Sequence, residues 1–103
     1  MKRKGLALLG LAAKAGRLQS GEWAVDNTIK SARAFLVIIA GDASEKTKKH
    51  LQDMCNFRGI PAYIFSDRYE LGKSIGKDMR VCIAVTDKGF SSKLISILQE
   101  DRE

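Results

Sequence analysis

One proline, one histidine, one tryptophan and two cysteines stand in a chain of 103 residues. No apolar run approaches the ~20 residues that a bilayer-spanning helix needs. Each scarcity excludes something. His50 has no cysteine or carboxylate cluster beside it, so neither a zinc ligand set nor an imidazole-centred catalytic group is supported. Cys55 and Cys82 lie far apart, form no Cys-x-x-Cys pair and sit among apolar residues. They read as buried thiols of a reducing compartment. Pro61 falls at the start of a strand, where its missing N–H is tolerated. The carboxylates Glu22, Asp26, Asp42, Glu45, Asp53, Asp67 and Asp78 occur singly, and nothing pairs them for acid–base work. Gly5 and Gly10 have the glycine spacing of a P-loop, but Leu11-Ala12 stand where Lys and Ser/Thr belong, inside a helix. The stretch Gly72–Lys77 has the wrong spacing too. No catalytic group, metal or cofactor is therefore expected.

What is present is positive charge. Lysine and arginine number 18 against 12 acids, a formal charge of +6. That excess favours a polyanionic partner, either nucleic acid or a membrane surface. Lys2, Arg3, Lys4, Lys14 and Arg17 all precede the first acid, Glu22, and this segment can neutralise phosphates. The basic start followed by apolar residues 5–13 imitates a secretory signal, but Lys14 suits a cleavage region poorly. An amphipathic helix fits better, with Leu6, Leu9 and Ala13 on one side and Leu8, Ala12 and Ala15 beside them. The length suits one domain over residues 1–103, and a cytoplasmic location is expected.

Helices and strands alternate along the chain. A helix over 2–15 ends at Gly16, and residues 17–20 form a short strand. Ser20 is the expected N-cap of a second helix beginning at Gly21, with Val25, Ile29 and Ala32 on its apolar face. The run Phe35–Ala40 is a strand covered on both faces. Asp42 or Ser44 caps a third helix ended by Gly59, with Thr47, Leu51, Met54 and Cys55 facing inward and His50 on the solvent side near Lys46, Lys48, Lys49 and Asp53. A strand over 62–65, a short helix capped by Ser66 or Asp67, a strand over 81–85 and a last helix capped by Thr86 or Asp87 complete the order. The last helix carries Phe90, Leu94, Ile97 and Leu98 at core spacing. This alternation calls for a sheet between two helical layers.

Two segments carry recognition chemistry. On the second helix, Trp23, Asn27 and Lys30 follow a stripe apart from the apolar face. An indole there stacks on a base or anchors to the domain, Asn offers a donor and an acceptor, and Lys reaches phosphate. Ser20, Gly21 and Glu22 surround a helix N-terminus, which favours an anion. The loop Lys77-Asp78-Met79-Arg80 enters the last strand with two cations and a flexible apolar side chain. It matters only if it lies beside the start of the second helix.

The chain resembles the kink-turn-binding ribosomal protein family of the L-seven-Ae type, particularly its small bacterial YlxQ-like branch. The resemblance is carried by Gly21, by residues 34–40 (AFLVIIA), Asp42-Ala43-Ser44, Cys55, Gly59-Ile60-Pro61, Glu70-Leu71-Gly72-Lys73 with Gly76, and residues 81–89 (VCIAVTDKG). It implies an α/β fold, a three-layer α/β/α sandwich with a mixed four-stranded sheet. It also implies binding of structured RNA bent at a kink-turn, without catalysis or cofactor, in a ribosome-associated setting. Such proteins use the start of the second helix and the loop before the last strand. The family's Asn-Glu pair and following Lys are replaced here by Trp23, Ala24 and Asn27. Lys77, Met79 and Arg80 match the second contact region by position. The RNA-contacting set expected is thus Ser20, Gly21, Glu22, Trp23, Asn27, Lys30, Lys77, Met79 and Arg80, in a monomer without membrane contact. The replaced residues leave a second reading, a protein-interaction module that kept the fold and lost specific RNA reading. A small enzyme is a third, and it needs Asp42, His50 or Asp67 to converge with a cation.

Overall fold

The computed structural model describes residues 2–100. Its elements are α1 (Lys2–Lys14), β1 (Leu18–Ser20), α2 (Glu22–Lys30), β2 (Leu36–Ile39), α3 (Glu45–Arg58), β3 (Ala62–Ile64), α4 (Arg68–Ser74), β4 (Cys82–Val85) and α5 (Lys88–Glu100). The strands form one sheet in the order β1-β4-β2-β3. β4 runs antiparallel to both β1 and β2, while β2 and β3 pair in parallel across α3. The sheet is therefore mixed, as the resemblance implied.

The layers follow from the period-two alternation of strand side chains. Leu36, Ile38, Ile83 and Val85 point to one face and meet Leu9 of α1, Leu71 of α4 and Leu94 and Leu98 of α5. Val37, Ile39, Cys82 and Ala84 point to the other and meet Val25 and Ile29 of α2 and Leu51 and Cys55 of α3. The two central strands are apolar at every position because both faces are covered. Each large aliphatic side chain buried in this way contributes roughly 1.5–3 kcal/mol.

Helix ends are set by local chemistry. Ser44 Oγ accepts from the Thr47 N–H at 3.1 Å, Asp67 from the Tyr69 and Glu70 N–H groups at 2.9 Å, and Asp87 from the Phe90 N–H at 2.8 Å. Of the paired cap alternatives, these three residues are the ones used. At the other end, α1, α3 and α4 stop at Gly16, Gly59 and Gly76, each in the left-handed conformation. α2 ends with the same hydrogen-bond pattern, Ala32 N–H to Ile29 O and Arg33 N–H to Thr28 O, but places Ala32 at φ 60°.

That geometry corrects two expectations. Ala32 is not on the apolar face of α2. It lies beyond the helix, exposed, and Thr28 is the buried neighbour of Val25 and Ile29. In α1 the buried stripe is Gly5, Leu9 and Ala12, while Leu6, Leu8 and Ala13 are half-buried and Ala15 is exposed past the helix end. Gly5 and Gly10 are packing glycines. A Cβ at Gly5 would come within 2.9 Å of the Phe65 ring, and one at Gly10 within 2.9 Å of the Ser74 carbonyl oxygen.

Candidate nucleic-acid interface

β1 and α2 meet at Gly21. The Gly21 N–H donates to Cys82 O at 3.0 Å, continuing the β1–β4 ladder for one residue beyond Ser20. The chain then turns sharply, with Gly21 at φ 93° and ψ 157°, a conformation that strains any residue with a Cβ. This ladder also overturns the expected cap. Ser20 is still strand, paired with Ile83, so the N-cap falls on Gly21, which has no side chain to accept a hydrogen bond. The first N–H groups of α2 consequently have no side-chain acceptor, unlike those of α3, α4 and α5. They form an anion-attracting end open to an incoming group.

The pairing of β1 with β4 also carries the 77–80 loop to the same edge. Ser20, Gly21, Glu22, Trp23, Met79 and Arg80 line one surface hollow of about 500 Å³, together with Ala24, Arg68 and Val81. Trp23 is 81% exposed and Met79 50% exposed. The indole therefore stands in solvent as an unburied platform beside the loop, and the anchoring alternative for it is removed. Arg80 is fixed by two neutral acceptors. Its Nε donates to Ser20 Oγ at 3.0 Å and its Nη1 to Met79 O at 2.8 Å. Among the described residues it has no carboxylate partner, so its charge is uncompensated.

Sequence reasoning missed the support under this hollow. Arg68, the first residue of α4, receives the Arg80 N–H on its carbonyl at 2.9 Å. Its side chain is clamped by Asp42, with Nε to Oδ2 at 3.3 Å and Nη2 to the Asp42 carbonyl at 2.6 Å, while its N–H donates to Asp42 Oδ1 at 3.0 Å. Asp42 thus joins the β2–α3 turn to α4. Gly72 completes the seat for the loop. A Cβ there would collide with the Asp78 carbonyl and come within 2.9 Å of Met79 Cα. Glycines 72 and 76 gave a signal, but periodicity does not say which backbone will lie against them.

The remaining expected residues are placed differently. Asn27 is exposed on α2 and borders neither this hollow nor its neighbour, and Lys77 is exposed on the loop outside it. Lys30 is drawn to Asp26 at 3.0 Å. His50 is exposed on the solvent side of α3, as expected, and it also has a partner on α2. Its Nε2 lies 2.9 Å from Asp26 Oδ1, linking α3 to α2. The His50 and Lys30 contacts hold the Asp26 carboxyl below the usual carboxylate range, the His50 hydrogen bond being the larger cause. Asp42, His50 and Asp67 serve respectively as the Arg68 clamp, the Asp26 partner and the α4 cap. Burial raises the Cys55 thiol to about 11 and the Cys82 thiol to about 12, which leaves both protonated. No group of three or more His, Cys, Asp or Glu among the described residues is arranged to hold a metal ion, and no described helix is long and apolar enough to cross a membrane.

The chain is similar to known proteins over nearly its whole length. The model of the ribosomal protein L7Ae/L30e/S12e/Gadd45 family matches residues 3–95. The RNA-binding protein YlxQ of Bacillus subtilis is 50% identical over 91 residues, covering 88% of this chain and 91% of the relative. The RNA-binding protein YlxQ of Enterococcus faecium is 33% identical over 98 residues, covering 95% and 94%. A Bacillus halodurans protein described as of unknown function superposes with a TM-score of 0.91 at 44% identity, over 93% of this chain and 97% of that one. The Giardia lamblia 15.5kD RNA binding protein shares the fold with a TM-score of 0.80 at 19% identity, over 92% and 84%.

Proposed function

The chain belongs to the ribosomal protein L7Ae/L30e/S12e/Gadd45 family, and from that premise we propose that it is a non-catalytic binder of structured RNA, gripping a kink-turn through the hollow between α2 and the 77–80 loop. Residues 1–103 act as one RNA-binding domain, monomeric, cytoplasmic and ribosome-associated. The observation that carries the reading is the shared hollow, in which an exposed indole, an unpaired arginine and an uncapped helix N-terminus stand together.

The mechanism follows from these parts. The net charge of +6 draws the polyanion in. Arg80 and the open N–H groups of α2 take phosphate oxygens and set the orientation. Trp23 offers a stacking surface to a base exposed at the bend, and Met79 supplies adaptable apolar contact. A regular A-form duplex keeps its bases stacked and offers the indole nothing, so bent RNA is favoured. Glu22 lines the hollow, while Lys77 and Asn27 are exposed outside it and make lesser contributions. Lys30 reaches phosphate only by leaving Asp26.

A gel-shift titration of a kink-turn RNA against a straight duplex of equal length tests this. Preference for the kinked RNA, lost in Trp23→Ala, is the expected result. Equal affinity for the two RNAs removes kink recognition. Affinity that collapses with salt, shows no preference among RNAs and is indifferent to Trp23→Ala favours the protein-interaction reading.

A further inference from the structure

The cations that open the chain, Lys2, Arg3, Lys4, Lys14 and Arg17, take no part in the RNA hollow. Arg3 and Lys14 instead border a separate hollow of about 600 Å³ between α1 and α4. Arg3, Ala7, Leu11 and Lys14 recur three or four residues apart and so share one stripe of α1. Gly10 lets the two helices approach: a Cβ there would lie 2.9 Å from the Ser74 carbonyl oxygen. The result is a trough with Ala7, Gly10 and Leu11 as its apolar floor and Arg3, Lys14 and Lys73 on its rim. Leu11 is 57% exposed, whereas Leu9, on the core side of the same helix, is fully buried. The one acid on the lining is Glu70, and it is already engaged by Lys2 Nζ at 2.8 Å and by Ser66 Oγ at 2.8 Å. α1 carries no acid, and neither Arg3 nor Lys14 has a carboxylate partner among the described residues.

An apolar floor between unneutralised cations matches a surface of the opposite charge with an apolar ridge. We propose that the α1–α4 hollow docks a protein partner, and that its occupant is an acidic amphipathic helix. The apolar stripe of that helix lies on Ala7 and Leu11, and flanking carboxylates meet Arg3, Lys14 and Lys73. Arg3 and Lys14 stand roughly 16 Å apart along the axis of α1, about three turns, which sets the spacing of those carboxylates. RNA would use the cations but gains nothing from the leucine, and no aromatic side chain lines the hollow to stack a base. A second copy docked about a two-fold axis would set Arg3 of one protomer against Lys14 of its partner, like charge on like. A membrane surface needs more apolar area than Leu11 supplies, since Leu6, Leu8 and Leu9 are committed to the core. The linings of this hollow and the RNA hollow share no residue, so a docked helix leaves the RNA surface open. The chain then couples an RNA to an acidic protein through two separate surfaces. This site stands on its own geometry and does not depend on kink-turn recognition.

The test is an NMR titration of isotope-labelled protein with a synthetic helical peptide of about five turns, carrying a leucine stripe flanked by glutamates. One control peptide has the same composition in scrambled order, and another has lysine in place of each glutamate. The acidic helix is expected to shift resonances of residues 3–14 and 70–74, and both controls to bind about tenfold more weakly or worse. Leu11→Ser is expected to weaken the acidic peptide by about tenfold and to leave kink-turn RNA affinity unchanged. The double variant Lys14→Glu, Lys73→Glu is expected to lose about tenfold or more for the acidic peptide and to bind the lysine peptide instead. All three positions are exposed, and circular dichroism reports that each variant is folded. Absence of shifts at these residues, an equal response to the scrambled peptide, or undiminished binding by the folded variants overturns the docking site. So does movement of the same resonances by kink-turn RNA, by anionic phospholipid vesicles or by raised protein concentration in place of the peptide, each of which identifies a different occupant.

Discussion

Arg80 and Ser20, 60 positions apart in sequence, are joined by a 3.0 Å hydrogen bond from the guanidinium Nε to the serine Oγ. The bond crosses the β1–β4 junction and aims an otherwise unpaired cation over the start of α2. Ser20→Ala removes the acceptor but not the charge. Its expected effect is a roughly three- to tenfold loss of RNA affinity, in line with the ~0.5–1.5 kcal/mol of an ordinary hydrogen bond. Arg80→Ala removes the charge itself and is expected to cost about tenfold or more. Equilibrium titrations at fixed salt check both, and the Arg80→Ala variant should also show a shallower dependence of affinity on salt.

Gly72 is where α4 lets the loop in. Gly72→Ala forces the 78–79 backbone outward, because neither the Asp78 carbonyl nor Met79 Cα is the tip of a flexible side chain. The expected cost in stability is about 1–3 kcal/mol, with a parallel loss of RNA binding as Met79 and Arg80 leave their places. Thermal unfolding and binding titration of the same sample measure the two effects.

Ala32 occupies a left-handed position that glycine fills at the ends of α1, α3 and α4. A left-handed non-glycine residue costs roughly 1–2 kcal/mol, and part of that gain is offset by glycine's larger unfolded-state entropy. Ala32→Gly is therefore expected to raise the melting temperature by about 3–5 °C. RNA affinity should not change, since Ala32 borders neither hollow.

The acid side of the stability curve is set in part by Asp26 and Glu70. The His50 and then the Lys30 hydrogen bond lower Asp26 from 3.8, and the Lys2 and then the Ser66 hydrogen bond lower Glu70 from 4.5. Because both folded-state values lie below the unfolded ones, the unfolded chain binds more protons as pH falls. Their stabilisation is thus complete above about pH 5 and disappears as pH drops through and below those ordinary values. Urea unfolding at a series of pH values should show this slope, and a combined Asp26→Asn, Glu70→Gln variant should flatten it.

Much of the fold was written locally. The apolar runs at 36–39 and 82–85 declare strands covered on both sides, and Ser44, Asp67 and Asp87 cap helices as their side chains dictate. Trp23 and the 77–80 loop stood out by composition. What the chain does not display is which backbones become neighbours. Ser20 looked like a cap because serine before a helix usually is one, and only the pairing with Ile83 keeps it in the strand. His50 faces Asp26 across two helices, and Arg68 meets Asp42 across 26 positions. Helical spacing assigns such residues to a face, but the partner depends on how α2, α3 and α4 are set against the sheet.

The most direct test uses the single tryptophan as its own reporter. Acrylamide quenching of Trp23 emission is measured in the free protein and at saturating kink-turn RNA. Free protein should quench steeply, as an indole 81% exposed must, and the RNA complex should shield it by several-fold. An indole as accessible in the complex as in the free protein would place the RNA elsewhere on the molecule and contradict the account.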